Sequence, residues 1–131
     1  MQNTKVLIEA RVLECMEIVR NKFKLTTFEN PSVHFDVIGT TGGLATYASN
    51  SVHFNLKLAE ANLEHYLVQV VPHEIAHLVD FVKYGNRGHK RTWKHIMIYV
   101  FGLKPDRCHD MDTSAVKTKK YDTYIYLCKC P

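Results

Sequence analysis

The residues of this chain best placed to do chemistry are His73, Glu74 and His77, in the run His73-Glu74-Ile75-Ala76-His77. Side chains four positions apart on an α-helix differ by only about 40° around its axis, so both imidazoles face one side, one turn apart. Two such nitrogens can reach a single Zn2+ at about 2.0–2.1 Å. Glu74, one residue after the first ligand, can point past the ion and take a proton from water, while zinc acidifies that water and polarises a carbonyl. The chemistry encoded is metal-assisted hydrolysis. A module that used zinc only for stability would need the histidines but not the glutamate. Glu74 therefore separates a hydrolase from a non-catalytic, zinc-stabilised adapter for nucleic acid or protein.

A catalytic zinc takes a third protein ligand. Lys83 stands where the last His of H-E-x-x-H-x-x-G-x-x-H would fall, and Asp80 replaces its Gly. No Glu follows Glu74, so a downstream glutamate ligand is excluded. His89, His95 and His109 remain, with Asp80 as an outside candidate. His89 lies just past a Gly85–Gly88 turn, from which a short loop can swing it back over the metal. His95 falls in a helical pattern one turn from Arg91 and reads as structural or exposed. Asp80 shares a helix face with His77 and could orient a ligand imidazole, or be a plain surface carboxylate.

Positioning these groups falls to 131 residues, the length of one compact domain. With 46% hydrophobic and 23% charged residues the composition is globular, which excludes disordered, collagenous and coiled-coil classes. No apolar run nears the roughly 20 residues of a membrane span. Glu9 and Arg11 follow Val6-Leu7-Ile8 too closely for a secretory segment, so a cytoplasmic location and no membrane partner are expected. Four cysteines without an export signal fit reduced thiols or metal ligation better than disulfides.

Ile8, Val12, Met16, Val19 and Phe23 form the stripe of a first helix. Alternation predicts strands over 33–38, 44–47 and 52–58, separated by turns at Gly39–Gly43 and Ser49–Ser51. The third, at Val52–Leu56, is expected to lie at the cleft and offer an edge to an extended peptide. A helical period follows from Ala59 to Tyr84, with a kink or fresh start at Pro72. Another helix spans Lys90 to Phe101, with Trp93, Ile96, Met97 and Val100 inward. Val116 to Cys128 reads as a late strand or extended arm. The class is α+β, with a domain over 1–115 and a basic, aromatic tail over 116–131.

Four runs then carry a resemblance: Gly43-Leu44-Ala45-Thr46-Tyr47, Val52-His53-Phe54-Asn55, Val71-Pro72-His73-Glu74-Ile75-Ala76-His77-Leu78 and Gly88-His89-Lys90-Arg91-Thr92-Trp93-Lys94. Together they resemble the SprT-like domain, the group of bacterial SprT proteins and the DNA–protein crosslink protease Spartan, over roughly residues 10 to 130. The Gly-His-x-x-x-Trp run, beginning eleven residues after His77, is its most specific part beside the H-E-x-x-H. The resemblance implies a minimal zincin fold, zinc on His73, His77 and His89, and Glu74 as catalytic base. Lys90 departs from a second Gly common in the family. Pro105-Asp106-Arg107-Cys108-His109 resembles a stretch that would bring His109 near substrate or the oxyanion. Tyr126-Leu127-Cys128-Lys129-Cys130 resembles the first knuckle of a zinc ribbon whose second cysteine pair is not in this sequence. One catalytic zinc is therefore expected, and Cys128 and Cys130 are read as free thiols rather than ligands of a second.

Charge is unevenly spread within the net +4. Residues 1–82 hold six Lys/Arg against nine Asp/Glu, a net −3, and residues 83–131 hold eleven against four, a net +7. Lys83, Arg87, Lys90, Arg91 and Lys94 surround His89 in sequence, and Lys117, Lys119 and Lys120 adjoin Tyr121. Cations interleaved with aromatics suit single-stranded or damaged DNA, where phosphates and base faces are both engaged. The resemblance implies that DNA can activate such a protease and confine it to proteins on DNA.

Overall fold

The computed structural model describes residues 3–106. It is α+β, with the element order of a minimal zincin. Helix α1 (Thr4–Phe23) is followed by strands β1 (Ser32–His34), β2 (Gly43–Thr46) and β3 (Ser51–Phe54). Then come two short helices, α2 (Leu56–Ala61) and α3 (Leu63–His65), a π-helical segment at Tyr66–Val70, α4 (Val71–Tyr84) and α5 (Arg91–Tyr99). None of these helices is long and apolar enough to cross a membrane.

The α1 stripe packs as its spacing predicts. Ile8, Val12, Met16 and Val19 are fully buried and Cys15 joins them, its thiol pushed up to about 12 by burial. The Asn3 side chain accepts the Lys5 amide at the helix start, and Lys24 closes the end in a left-handed conformation. The stripe lies against α4, which is also covered by α5 and β2. As a result Val71 to Asp80 is buried on every side, not on one apolar face alone.

Two expectations about the strands need correction. The third strand stops at Phe54 because Asn55 caps a helix: its side-chain oxygen accepts the Leu58 amide at 3.2 Å, so Leu56 and Leu58 are helical. The apolar alternation simply runs on into α2. The sheet is mixed and ordered β1-β3-β2, with β1 parallel and β2 antiparallel to β3. β3 is thus central, with both backbone edges paired. Among the described residues, the free edge on the side of α4 belongs to β2.

The expected break at Pro72 is a change of hydrogen-bond register. The Val71 amide bonds the Tyr66 carbonyl, five residues back. In that register the donor owed to the Leu67 carbonyl would come from residue 72, which is proline and has none. Arg11 on α1 fills the gap, its Nε donating to the Leu67 carbonyl at 2.7 Å. Arg11 also meets Glu14 at 3.3 Å on the exposed side. Arg11→Ala is expected to destabilise the protein by about 1–3 kcal/mol, the range for losing a charged partner of a buried acceptor. Glu14→Ala should cost under about 1 kcal/mol, as exposed ion pairs do. Urea midpoints of the two variants would check this ordering.

Candidate metal centre

Helix α4 starts with Pro72 in its first turn, where a missing amide is harmless, and places His73, Glu74 and His77 within its first two turns. The helix is terminated by Gly85, at φ 72°, whose amide returns to the Asp80 and Phe81 carbonyls. Gly88 takes φ 86°, a second left-handed residue that lets the loop double back before α5. The Asn86 side-chain Nδ2 donates to the Thr92 hydroxyl at 2.9 Å and ties this loop to the first turn of α5.

The loop carries His89 to the helix. Its Nε2 lies 3.2 Å from Nε2 of His73, and one nitrogen from each of His73, His77 and His89 lies within 4.8 Å of the others. Two donors each about 2.0–2.1 Å from a tetrahedral zinc would be about 3.3–3.4 Å apart, close to the His73–His89 separation, and the wider spread of the three would close slightly around the ion. Both ring nitrogens of His77 are buried without a hydrogen-bond partner. Burial, helped by His89, pushes its pKa down to about 3, which keeps the imidazole neutral and able to ligate. Donor type, protonation and spacing all suit zinc at these three residues.

Trp93, four residues after His89, lines the cluster. Its indole stacks on His77 at 5.5 Å and meets His73 and His89 edge-on at 4.8 and 4.7 Å. Its Nε1 donates to the His73 carbonyl at 3.4 Å. Sequence spacing predicted Trp93 only as an inward residue of α5. The Gly-His-x-x-x-Trp pattern was the signal that it packs on the ligands.

Glu74 is buried, with Oε2 4.0 Å from Nε2 of His73. It rests on Gly43, the first residue of β2: a Cβ there would stand 3.0 Å from Oε2 and 3.1 Å from Cγ. The turn before Gly43 is held by two side chains that sequence reasoning gave no role. Asn55 Nδ2 donates to the Gly39 and Thr41 carbonyls at 2.8 and 3.1 Å. Tyr66 donates its hydroxyl to the Gly42 carbonyl at 2.7 Å, which the Asn55 backbone amide also reaches. Burial raises the Tyr66 pKa and the nearby Glu74 charge raises it further, so the phenol stays a donor.

Asp80 is fully buried, so it is no surface carboxylate, and among the described residues its carboxylate is near Thr92 and does not bridge to His77. Burial raises its pKa, with Thr92 opposing. His95 is exposed and stacked on Tyr99 at 5.1 Å, apart from the cluster. Lys90, Arg91 and Lys94 are exposed beside His89. Lys83, grouped with them by sequence, instead lies over the Phe23 ring at 4.8 Å. His109, Lys117, Lys119, Lys120, Tyr121, Cys128 and Cys130 lie outside the described residues.

A family model described as the SprT-like family matches residues 12–109. "Protein SprT" of Pseudomonas paraeruginosa is 40% identical over 126 residues, 95% of this chain and 74% of that protein. "Protein SprT" of Pasteurella multocida is 33% identical over 124 residues, 94% of this chain and 73% of that protein. No solved structure gives a significant match.

The His77 shift has a measurable consequence. The unfolded chain protonates His77 near its ordinary 6.5, whereas the folded, metal-free chain resists until about 3. Its contribution to stability is therefore full above about pH 6.5 and is lost as pH falls from there toward 3. Chelator-stripped protein should show this decline in urea titrations across that window. His77→Gln, which does not titrate, should flatten it.

Proposed function

Because the chain belongs to the SprT-like family, we propose that it is a zinc-dependent endopeptidase, acting on proteins associated with DNA. The observation that carries the reading is the meeting of His73, His77 and His89 within ligand distance, with the buried Glu74 carboxylate beside them. Zinc held by the three imidazoles would supply a Lewis acid that polarises a carbonyl and acidifies water.

The chain's own residues supply the rest. Glu74 takes the proton from the attacking water and passes it to the amine that leaves, so one carboxylate serves as base and then acid. Its burial and the backing of Gly43 hold it in one place between these two transfers. Among the described residues the unpaired edge of β2 starts at Gly43, so a substrate added there as a further strand would bring its peptide bonds alongside Glu74. Such main-chain pairing is indifferent to sequence, which suits a protease with varied targets. Exposed Lys90, Arg91 and Lys94 beside His89, together with Lys117, Lys119 and Lys120 in the sequence, support DNA as the partner that brings substrates near. A cytoplasmic, DNA-associated location belongs to the same proposal.

Glu74→Gln should keep one zinc per chain and lose cleavage of a protein substrate by at least about a hundredfold, as the loss of a general base does. His89→Ala should lose both zinc and cleavage. Elemental analysis beside a gel-based cleavage assay, with and without single-stranded DNA, reads both. Full proteolysis by Glu74→Gln would overturn its role as the base, whereas zinc-loaded wild type that cleaves nothing would sink the peptidase reading and leave a zinc-stabilised adapter.

Gly43→Ala tests the backing of the carboxylate separately. The added methyl must displace Glu74, so cleavage should fall about ten- to a hundredfold while zinc content and folding are kept. Steady-state kinetics with zinc analysis would show this split.

A further inference from the structure

Arg87 stands two residues before His89 in the loop between α4 and α5. Its guanidinium lies over the Tyr47 ring at 5.1 Å and the Phe81 ring at 5.2 Å, and those two rings pack on each other at 4.9 Å. Among the described residues no carboxylate is paired with it. Arg87 also lines a groove of about 440 Å3 together with residues 44–48, which span the end of β2 and the start of the turn after it. Among the described residues, a ring-stacked cation without a carboxylate partner thus sits beside the sheet edge that adjoins Glu74.

We propose that Arg87 and the β2 groove form a substrate subsite that selects an acidic side chain, Asp or Glu, on an extended peptide. The proposal rests on the peptidase reading and adds the substrate class to it. A guanidinium stacked on aromatic rings keeps its N–H edge free for a carboxylate and has little rotamer freedom left to lose. Part of the groove is β2 backbone, and strand backbone recognises another strand and not a nucleic acid. Lys90, Arg91 and Lys94 differ in this respect, being exposed along the start of α5. Strands rise about 3.3 Å per residue, so the groove beside Thr46 and Tyr47 lies about 10–13 Å from Gly43. The acidic side chain should therefore stand three or four residues from the scissile bond.

The test uses the full, zinc-loaded chain and a set of ten-residue peptides built on one cleaved sequence, with a single Glu moved through every position. In wild type, Glu three or four residues from the cleaved bond should raise kcat/KM about fivefold over Gln, the scale of a solvent-exposed ion pair. Arg87→Gln should abolish that preference, and Arg87→Glu should transfer it to Lys. Anisotropy of the same peptides on Glu74→Gln protein reads binding without cleavage. If wild type cleaves nothing but Glu74→Gln protein binds Glu peptides in an Arg87-dependent way, the subsite stands and the peptidase reading falls. A flat Glu profile, or one unchanged by Arg87→Gln, overturns the proposal. So does an unchanged peptide profile with weakened oligonucleotide binding, which would assign Arg87 to a nucleic-acid face. Arg87 is exposed, and matching thermal melts would show that its variants are folded.

Discussion

Proline 72 has no amide hydrogen, and it stands immediately before the first histidine of the cluster. A helix running through it must leave one carbonyl of the preceding turn without a donor. The chain answers with one π-helical turn, which moves the unsatisfied acceptor to Leu67, where Arg11 of α1 can reach it. The same turn holds Tyr66, whose hydroxyl fixes the Gly42 carbonyl and so the start of β2. Gly43 then meets Glu74, the residue after His73. A single missing hydrogen-bond donor is therefore linked, through two side chains, to the placement of the carboxylate. The first helix, far from the cluster in sequence, takes part in that placement through one guanidinium.

The cluster itself is built from groups that folding alone would not favour. His77 and Asp80 are wholly buried, the His77 ring nitrogens lack partners among the described residues, and Glu74 is nearly as deep. Burying such groups uncompensated costs stability, and an ion that binds only the folded chain returns it in proportion to its saturation. The exposed cations Lys90, Arg91 and Lys94 lie outside this interior, so burial separates the groups that would ligate from those that would meet a polyanion.

The parts of the fold that repeat locally were legible in the residues. The α1 stripe, the inward set of α5 and the helical setting of His73, Glu74 and His77 follow from periodicity, because each depends on neighbours three or four positions away. His89 needed more, since nothing but its loop and the family resemblance ranked it over His95. Strand order was not legible: alternation shows that β3 is a strand but not that β1 and β2 flank it, which depends on contacts remote in sequence. The overrun of β3 into α2 came from reading apolar alternation without weighing Asn55 as a cap. Asp80 was misread as a surface group because its burial comes from the covering of α4 by other elements, which its own helix does not announce. Tyr66 carries no signal for its bond to the Gly42 carbonyl, nor Asn55 for its bonds to Gly39 and Thr41, because main-chain oxygens are what they meet and every residue has one.

Trp93 has an implication of another kind. It is the only tryptophan in the chain, and its indole touches all three histidine rings. Ultraviolet emission from this protein therefore has one dominant source, set against the metal-ligand cluster itself. Whatever enters or leaves that cluster changes the surroundings of the fluorophore, with no other indole to dilute the signal. The molecule carries its own optical gauge of occupancy, built from the side chain that packs the ligands together.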